Sequence, residues 1–139
     1  MKTSLIATLT ALTFATLSAP AIAGDIAAGE KDFRKCKACH SIVDDSGEAL
    51  VKGGKTGPNL YGVVGRTAGS VEGFRYKDSI VALGETGFVW DEASIAEYVV
   101  DPNGFLKDKL GDSSAKSGMV KQSLKVPEDV VAYIASLSQ

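Results

Sequence analysis

An all-α domain, with three main helices and unusually long loops, is the fold class that the sequence predicts. Three observations carry it. Three segments place apolar residues at helical spacing behind recognisable start signals, no run alternates as a β-strand would, and two long stretches are too polar to build a core. The chain has 139 residues and a net charge of −2. That is enough for one compact domain and too short for two of ordinary size.

The amino terminus comes first. Met1-Lys2 is a short positive start, Leu5 to Ala19 is mostly apolar, and "SAPAIAGD" offers small residues before a cut after Ala23. Threonines, serines and a proline interrupt the apolar run, which argues against a permanent membrane span. Residues 1–23 are therefore expected to be a cleaved signal peptide and residues 24–139 the functional domain, exported to the periplasm.

The first helix is expected over Ile26 to Cys39, with Asp25 as its N-cap and Ala27, Ala28 and Phe33 facing inward. A second begins after Trp90, capped by Asp91, carries Ile95, Tyr98 and Val99 at helical spacing, and must stop before Pro102. The third follows Val126: Pro127 takes the first helical position, Glu128 and Asp129 suit the positive end of the helix dipole, and Val130, Val131, Tyr133, Ile134 and Leu137 form an apolar stripe. "FVW" at Phe88 to Trp90 is too short and isolated to build a sheet. The remainder, Ser41 to Ser79 and Phe105 to Lys125, reads as loop. Loops of that length are uncommon unless they bind something or lack order, so either a cofactor supplies the missing core or the chain is loose.

Charge is segregated along the chain. Lys31 to Lys55 holds six basic and four acidic residues, Lys107 to Lys125 five and two, and Glu72 to Asp101 two and seven. The small net charge excludes the strongly basic footprint of a nucleic-acid binder. It leaves a molecule with a positive and a negative side.

The chain has two cysteines and one histidine, and all three fall in "CKACH", Cys36 to His40. Cys-x-x-Cys-His is the attachment motif of a c-type haem: the thiols add to the two vinyl groups and the histidine turns onto the iron. A redox disulfide between Cys36 and Cys39 would normally precede a helix in a βαβ unit, whereas this motif ends a helix in an α-only chain. Structural zinc needs four ligands, and these three are the only Cys and His residues present. A covalent haem also explains loops without a core of their own. For the second axial position there is no other histidine, and beyond Met1 the chain has a single methionine, Met119. A lone methionine is usually a flexible core filler, but elimination makes Met119 the expected sixth ligand beside His40. Two filled axial positions favour electron transfer over binding at the iron.

These landmarks occur in a fixed order: "GEKDFRKCKACH", "TGPNLYGVVGRTAG", "GFRYKDS", a lone tryptophan, "YVVDPNGFL", the methionine loop and "EDVVAYIASL". In this the chain resembles a class I cytochrome c, most similar to the bacterial cytochromes c of the c-two type. The resemblance implies a small class I cytochrome c fold wrapped around one covalently bound haem c. It implies that Gly29 and Phe33 cross Val130 and Tyr133 on the last helix, and that the Pro58 carbonyl accepts the other ring N–H of His40. By the same resemblance Arg66, Tyr76 and Trp90 donate to the haem propionates, and Tyr98 lies near the methionine sulfur. Three positions depart from the family pattern. Ile80 stands where many members have asparagine, so no polar contact is expected there; Gly118 precedes Met119 in place of lysine; and Ser117 replaces a threonine, which puts its propionate contact in doubt.

The expected function is that of a soluble periplasmic monohaem electron carrier, not an enzyme, shuttling single electrons between membrane-bound redox complexes such as a bc1-type complex and a reaction centre or terminal oxidase. Docking is expected to be transient, by a monomer, through a lysine-rich haem-edge face drawn from Lys35, Lys37, Lys55, Lys107, Lys109, Lys116 and Lys121. The alternative is a haem enzyme or gas-binding protein in which Met119 is displaced.

Overall fold

A computed structural model describes residues 24–138; the expected signal peptide at 1–23 lies outside the described residues. Five α-helices are present: α1 (Ile26–Asp32), α2 (Asp78–Glu85), α3 (Glu92–Val100), α4 (Pro102–Leu110) and α5 (Pro127–Ser136). A 3-10 segment, Phe33–Ala38, continues α1, and strands β1 (Ile42–Val43) and β2 (Ala49–Val51) form an antiparallel hairpin.

Three helices begin where local start signals place them, two by a capping aspartate and one by a proline. The Asp25 carboxylate accepts the Ala28 N–H at 3.0 Å. Asp91 accepts the Ser94 N–H at 2.7 Å, while the Ser94 hydroxyl accepts the Asp91 N–H at 3.0 Å, a reciprocal pair that satisfies two otherwise orphaned donors. Pro127 occupies the first position of α5. The first helix departs from expectation at its end. It is α-helical only to Asp32 and then tightens, and Ala27 is exposed while Gly29 and Phe33 carry the buried face.

The stretches expected to be loop contain more structure. The hairpin is stabilised from outside by Asn59, whose side chain accepts the Val43 N–H at 2.9 Å and donates to the Val43 carbonyl at 2.7 Å. Val89 of the "FVW" stretch makes a single antiparallel bridge with Thr67. Pro102 ends α3 and also opens α4, because the Asp101 carboxylate accepts the Gly104 N–H at 3.0 Å and a proline at the first position forfeits no helical bond. α4 stops at Gly111, which adopts a left-handed φ of 62°. Its Phe105 and Leu106 are buried, and Phe105 lies 5.6 Å from the Trp90 ring, nearly parallel to it. Lys109 ties α4 to α3 through Glu97 at 3.9 Å. No helix among the described residues is long and apolar enough to cross a membrane.

α1 packs chiefly on α5, and α5 in turn on α3. The first contact is backbone on backbone: a Cβ placed on Gly29 would overlap the Asp129 carbonyl. The Asp25 N–H reinforces the crossing by donating to the Asp129 carboxylate at 2.8 Å. Phe33 and Tyr133 meet beside it with ring centroids 5.5 Å apart. Replacing Gly29 by alanine forces two rigid backbones apart, so Gly29→Ala should lower unfolding free energy by about 3 kcal/mol, the upper end of overpacking costs, in denaturant titration. A loss well under about 1 kcal/mol would show that the helices are free to separate.

Candidate cofactor site

The 3-10 segment carries the motif residues to one wall of a cavity of about 380 Å³. The N–H groups of Cys39 and His40 both donate to the Cys36 carbonyl, at 3.0 and 2.9 Å, so the chain coils tightly enough to present all three side chains to that wall. The following loop returns over it: Gly54 N–H donates to the Lys37 carbonyl at 2.9 Å and Gly57 N–H to the Cys39 carbonyl at 2.8 Å. Gly57 presses on the imidazole, where any Cβ would overlap the ring. His40 Nδ1 donates to the Pro58 carbonyl at 2.8 Å, which fixes the tautomer and leaves Nε2 with its lone pair. Burial lowers the His40 pKa, offset in part by that bond, so the ring is neutral at neutral pH. The thiols are not joined to one another; Cys36 is buried, and its pKa is pushed up to about 11 by desolvation and then by Asp32, while Cys39 is exposed.

All nine residues singled out from the sequence line this one cavity: Cys36, Cys39, His40, Pro58, Arg66, Tyr76, Trp90, Tyr98 and Met119. Arg66 donates to the Tyr61 carbonyl at 3.0 Å and the Asn59 carbonyl at 2.9 Å. Burial lowers its pKa, and among the described residues no carboxylate lies within ion-pairing distance of it. The Tyr76 hydroxyl accepts the Val71 N–H at 3.4 Å and keeps its own proton to donate. Trp90 is buried between Phe88 and Phe105. The Tyr98 hydroxyl is hydrogen-bonded to Ser117 Oγ at 2.5 Å, and the same Oγ accepts the Met119 N–H at 2.9 Å. Ser117 is thus engaged by Tyr98 of α3 and by its own loop. Ile80 is buried and adds an apolar surface to the cavity.

Ile95, Val99, Val130, Val131 and Ile134, read from the sequence as apolar helical stripes, line the cavity as well as the core, and so does Val63, which sequence reasoning did not single out. Lys77 was missed as well; it lines the rim, with its stem against Gly118. Of the seven lysines assigned to a docking ring, Lys35 alone lines the cavity, and its ammonium donates to the Ser123 carbonyl at 2.9 Å.

The donor set fits a haem. An apolar interior suits a planar macrocycle, a neutral imidazole and a thioether suit iron, and two thiols stand at the same wall. A partly buried guanidinium without an anion, beside a free phenolic proton, calls for a carboxylate from the occupant. No cluster of three or more His, Cys, Asp and Glu that would hold a bare metal ion occurs among the described residues.

No protein-family model matches the chain. Curated proteins do. Cytochrome c2 of Rhodobacter capsulatus is 62% identical over 131 residues, covering 93% of this chain and 96% of that protein. Cytochrome c-550 of Paracoccus versutus is 54% identical over 142 residues, 99% of this chain and 90% of that protein. Among solved structures, cytochrome c2 isolated from Rhodobacter capsulatus matches with a TM-score of 0.81 at 61% identity, covering 84% of this chain and all of that one.

The grip on His40 is open to direct test. Gly57→Ala should drive the imidazole off the Pro58 carbonyl and cost about 1–3 kcal/mol of stability, with a changed ring Nδ1 proton resonance. An unchanged resonance and stability would mean that the loop, not the ring, gives way.

Proposed function

We infer that this chain, which belongs to the class I c-type cytochromes of the c2 type, is a monohaem electron carrier. The observation that supports this most is the convergence of the Cys36 to His40 segment and the distant Met119 on one apolar cavity. In this reading Cys36 and Cys39 would hold the haem by thioether bonds, and His40 and Met119 would ligate its iron. The haem supplies one-electron iron chemistry when bound. Pro58 fixes the His40 tautomer and orientation, Arg66, Tyr76 and Trp90 donate to the carboxylates, and Tyr98 orders the methionine loop through Ser117. The apolar walls from α3 and α5 exclude water, which favours the less charged state of the iron. With His40 and Met119 both committed to the iron, the chain would leave no place there for a substrate, which supports a carrier over a catalyst.

Residues 1–23 act as an export signal, and residues 24–139 work as a soluble periplasmic monomer between membrane-bound redox complexes. Docking uses lysines at the cavity rim against acidic partner surfaces, in a weak and salt-sensitive encounter. Two of the lysines expected in that face contribute less than their formal charge. Lys109 sits between Glu97 and Asp108 and over the Phe105 ring, and Lys35 is committed to Ser123 and lies 3.7 Å from Asp32. Lys37, Lys55, Lys107, Lys116 and Lys121 are exposed, and Lys77 joins them.

The test is a visible spectrum of the haem-loaded protein, oxidised, reduced, and reduced under carbon monoxide. Low-spin spectra unaffected by carbon monoxide, together with ready carbon monoxide binding by Met119→Ala, are the expected result. Carbon monoxide binding by the unaltered protein at neutral pH would replace the carrier with a gas-binding or catalytic haem protein.

A further inference from the structure

The segment from Gly111 to Val126 has no regular secondary structure, and Ala115 is its only fully buried hydrophobic side chain. Apolar burial therefore does little to place it, and hydrogen bonds from neighbouring elements must. Two of these fall on successive amides just ahead of Met119. The Lys116 N–H donates to Ser79 Oγ on α2 at 3.0 Å, and the Ser117 N–H donates to Asn103 Oδ1 on α4 at 2.8 Å. Farther on, the Gln122 N–H donates to the Val99 carbonyl on α3 at 2.8 Å. Between these anchors lies Gly118, whose lack of a side chain gives the backbone its widest freedom at the residue that joins the anchored amides to Met119.

We propose that Asn103 and Ser79 are positioning residues that form a two-point latch, holding the loop so that the Met119 sulfur stays at the cavity and resists replacement by an outside ligand. Neither side chain lines the cavity, so both act through the backbone of Lys116 and Ser117. Gripping adjacent amides from two helices fixes both the position and the direction of the chain as it reaches Gly118. The grip then passes inward, because the Ser117 hydroxyl holds the Met119 N–H and meets Tyr98. Both latch bonds are solvent-exposed, and each shifts an equilibrium by roughly 2- to 10-fold. That range suits a closure that holds at rest and opens in the minor population from which exchange occurs.

The inference rests on Met119 being an axial ligand. Imidazole titration of the oxidised, haem-loaded protein, followed by loss of the iron–thioether absorption band, tests it alongside denaturant unfolding of each variant. Asn103→Leu and Ser79→Ala should each raise the apparent imidazole affinity by roughly 5-fold, the equivalent of one hydrogen bond. Asn103→Asp, which keeps an oxygen acceptor for the Ser117 N–H, should titrate like the unaltered protein. If Asn103→Leu does not fold, Ser79→Ala decides the matter alone. Unaltered imidazole affinity in the leucine and alanine variants overturns the latch, as does failure of the aspartate to restore it. A Met119→Ala control separates the two readings: survival of the band in that variant removes Met119 as ligand, and with it the premise of the latch.

Discussion

Gly29 and the Asp129 carbonyl meet without a side chain between them, and the site depends on that crossing. It fixes α1, and therefore the 3-10 segment that delivers Cys36, Cys39 and His40, against α5, whose Val130, Val131 and Ile134 also line the cavity. Phe33 and Tyr133 fill the flank of the crossing, and α3 packs on α5 from its other side. Between α1 and α5 in sequence lie α2, α3, α4 and the hairpin, whose buried residues pack partly on one another and partly around the cavity.

The polar groups around that cavity make sense only in relation to an occupant. A neutral, buried imidazole held at Nδ1 and a guanidinium whose protein acceptors are all carbonyls are costly arrangements in an apolar setting. The free nitrogen of the first suits a metal, and the positive charge of the second suits an anion. The likeness to cytochromes c2 and c-550 and the chemistry of the lining therefore agree by independent routes.

Much of this was legible in the sequence, for physical reasons that differ by element. Asp25, Asp91 and Pro127 start helices through groups that act within one turn, so local reading found all three. The Cys-x-x-Cys-His spacing was legible because its chemistry is local too. α4 was not, although Asp101, Pro102 and Gly111 bracket it, because most of its residues are polar and only Phe105 and Leu106 are fully buried along with Pro102. α2 lacks a side-chain cap and contains Gly84, so nothing local announces it. The hairpin is too short to show alternation, and Asn59, well outside it, bonds its edge. The inward stripes of α3 and α5 were read correctly as apolar faces, but no pattern in one chain tells a face packed on protein from a face packed on a prosthetic group.

Gly57 against the imidazole has a consequence for the two sides of the cavity. A ring pinned at Nδ1 and backed by main chain has almost no soft coordinate along which to relax when charge beside it changes. Met119, which lines the same cavity, rides on a loop held by exposed hydrogen bonds, with compliance of its own. The cavity is therefore mechanically lopsided, with a stiff histidine side and a yielding methionine side. The side chain that sets the resting geometry and the one that absorbs a displacement are different residues.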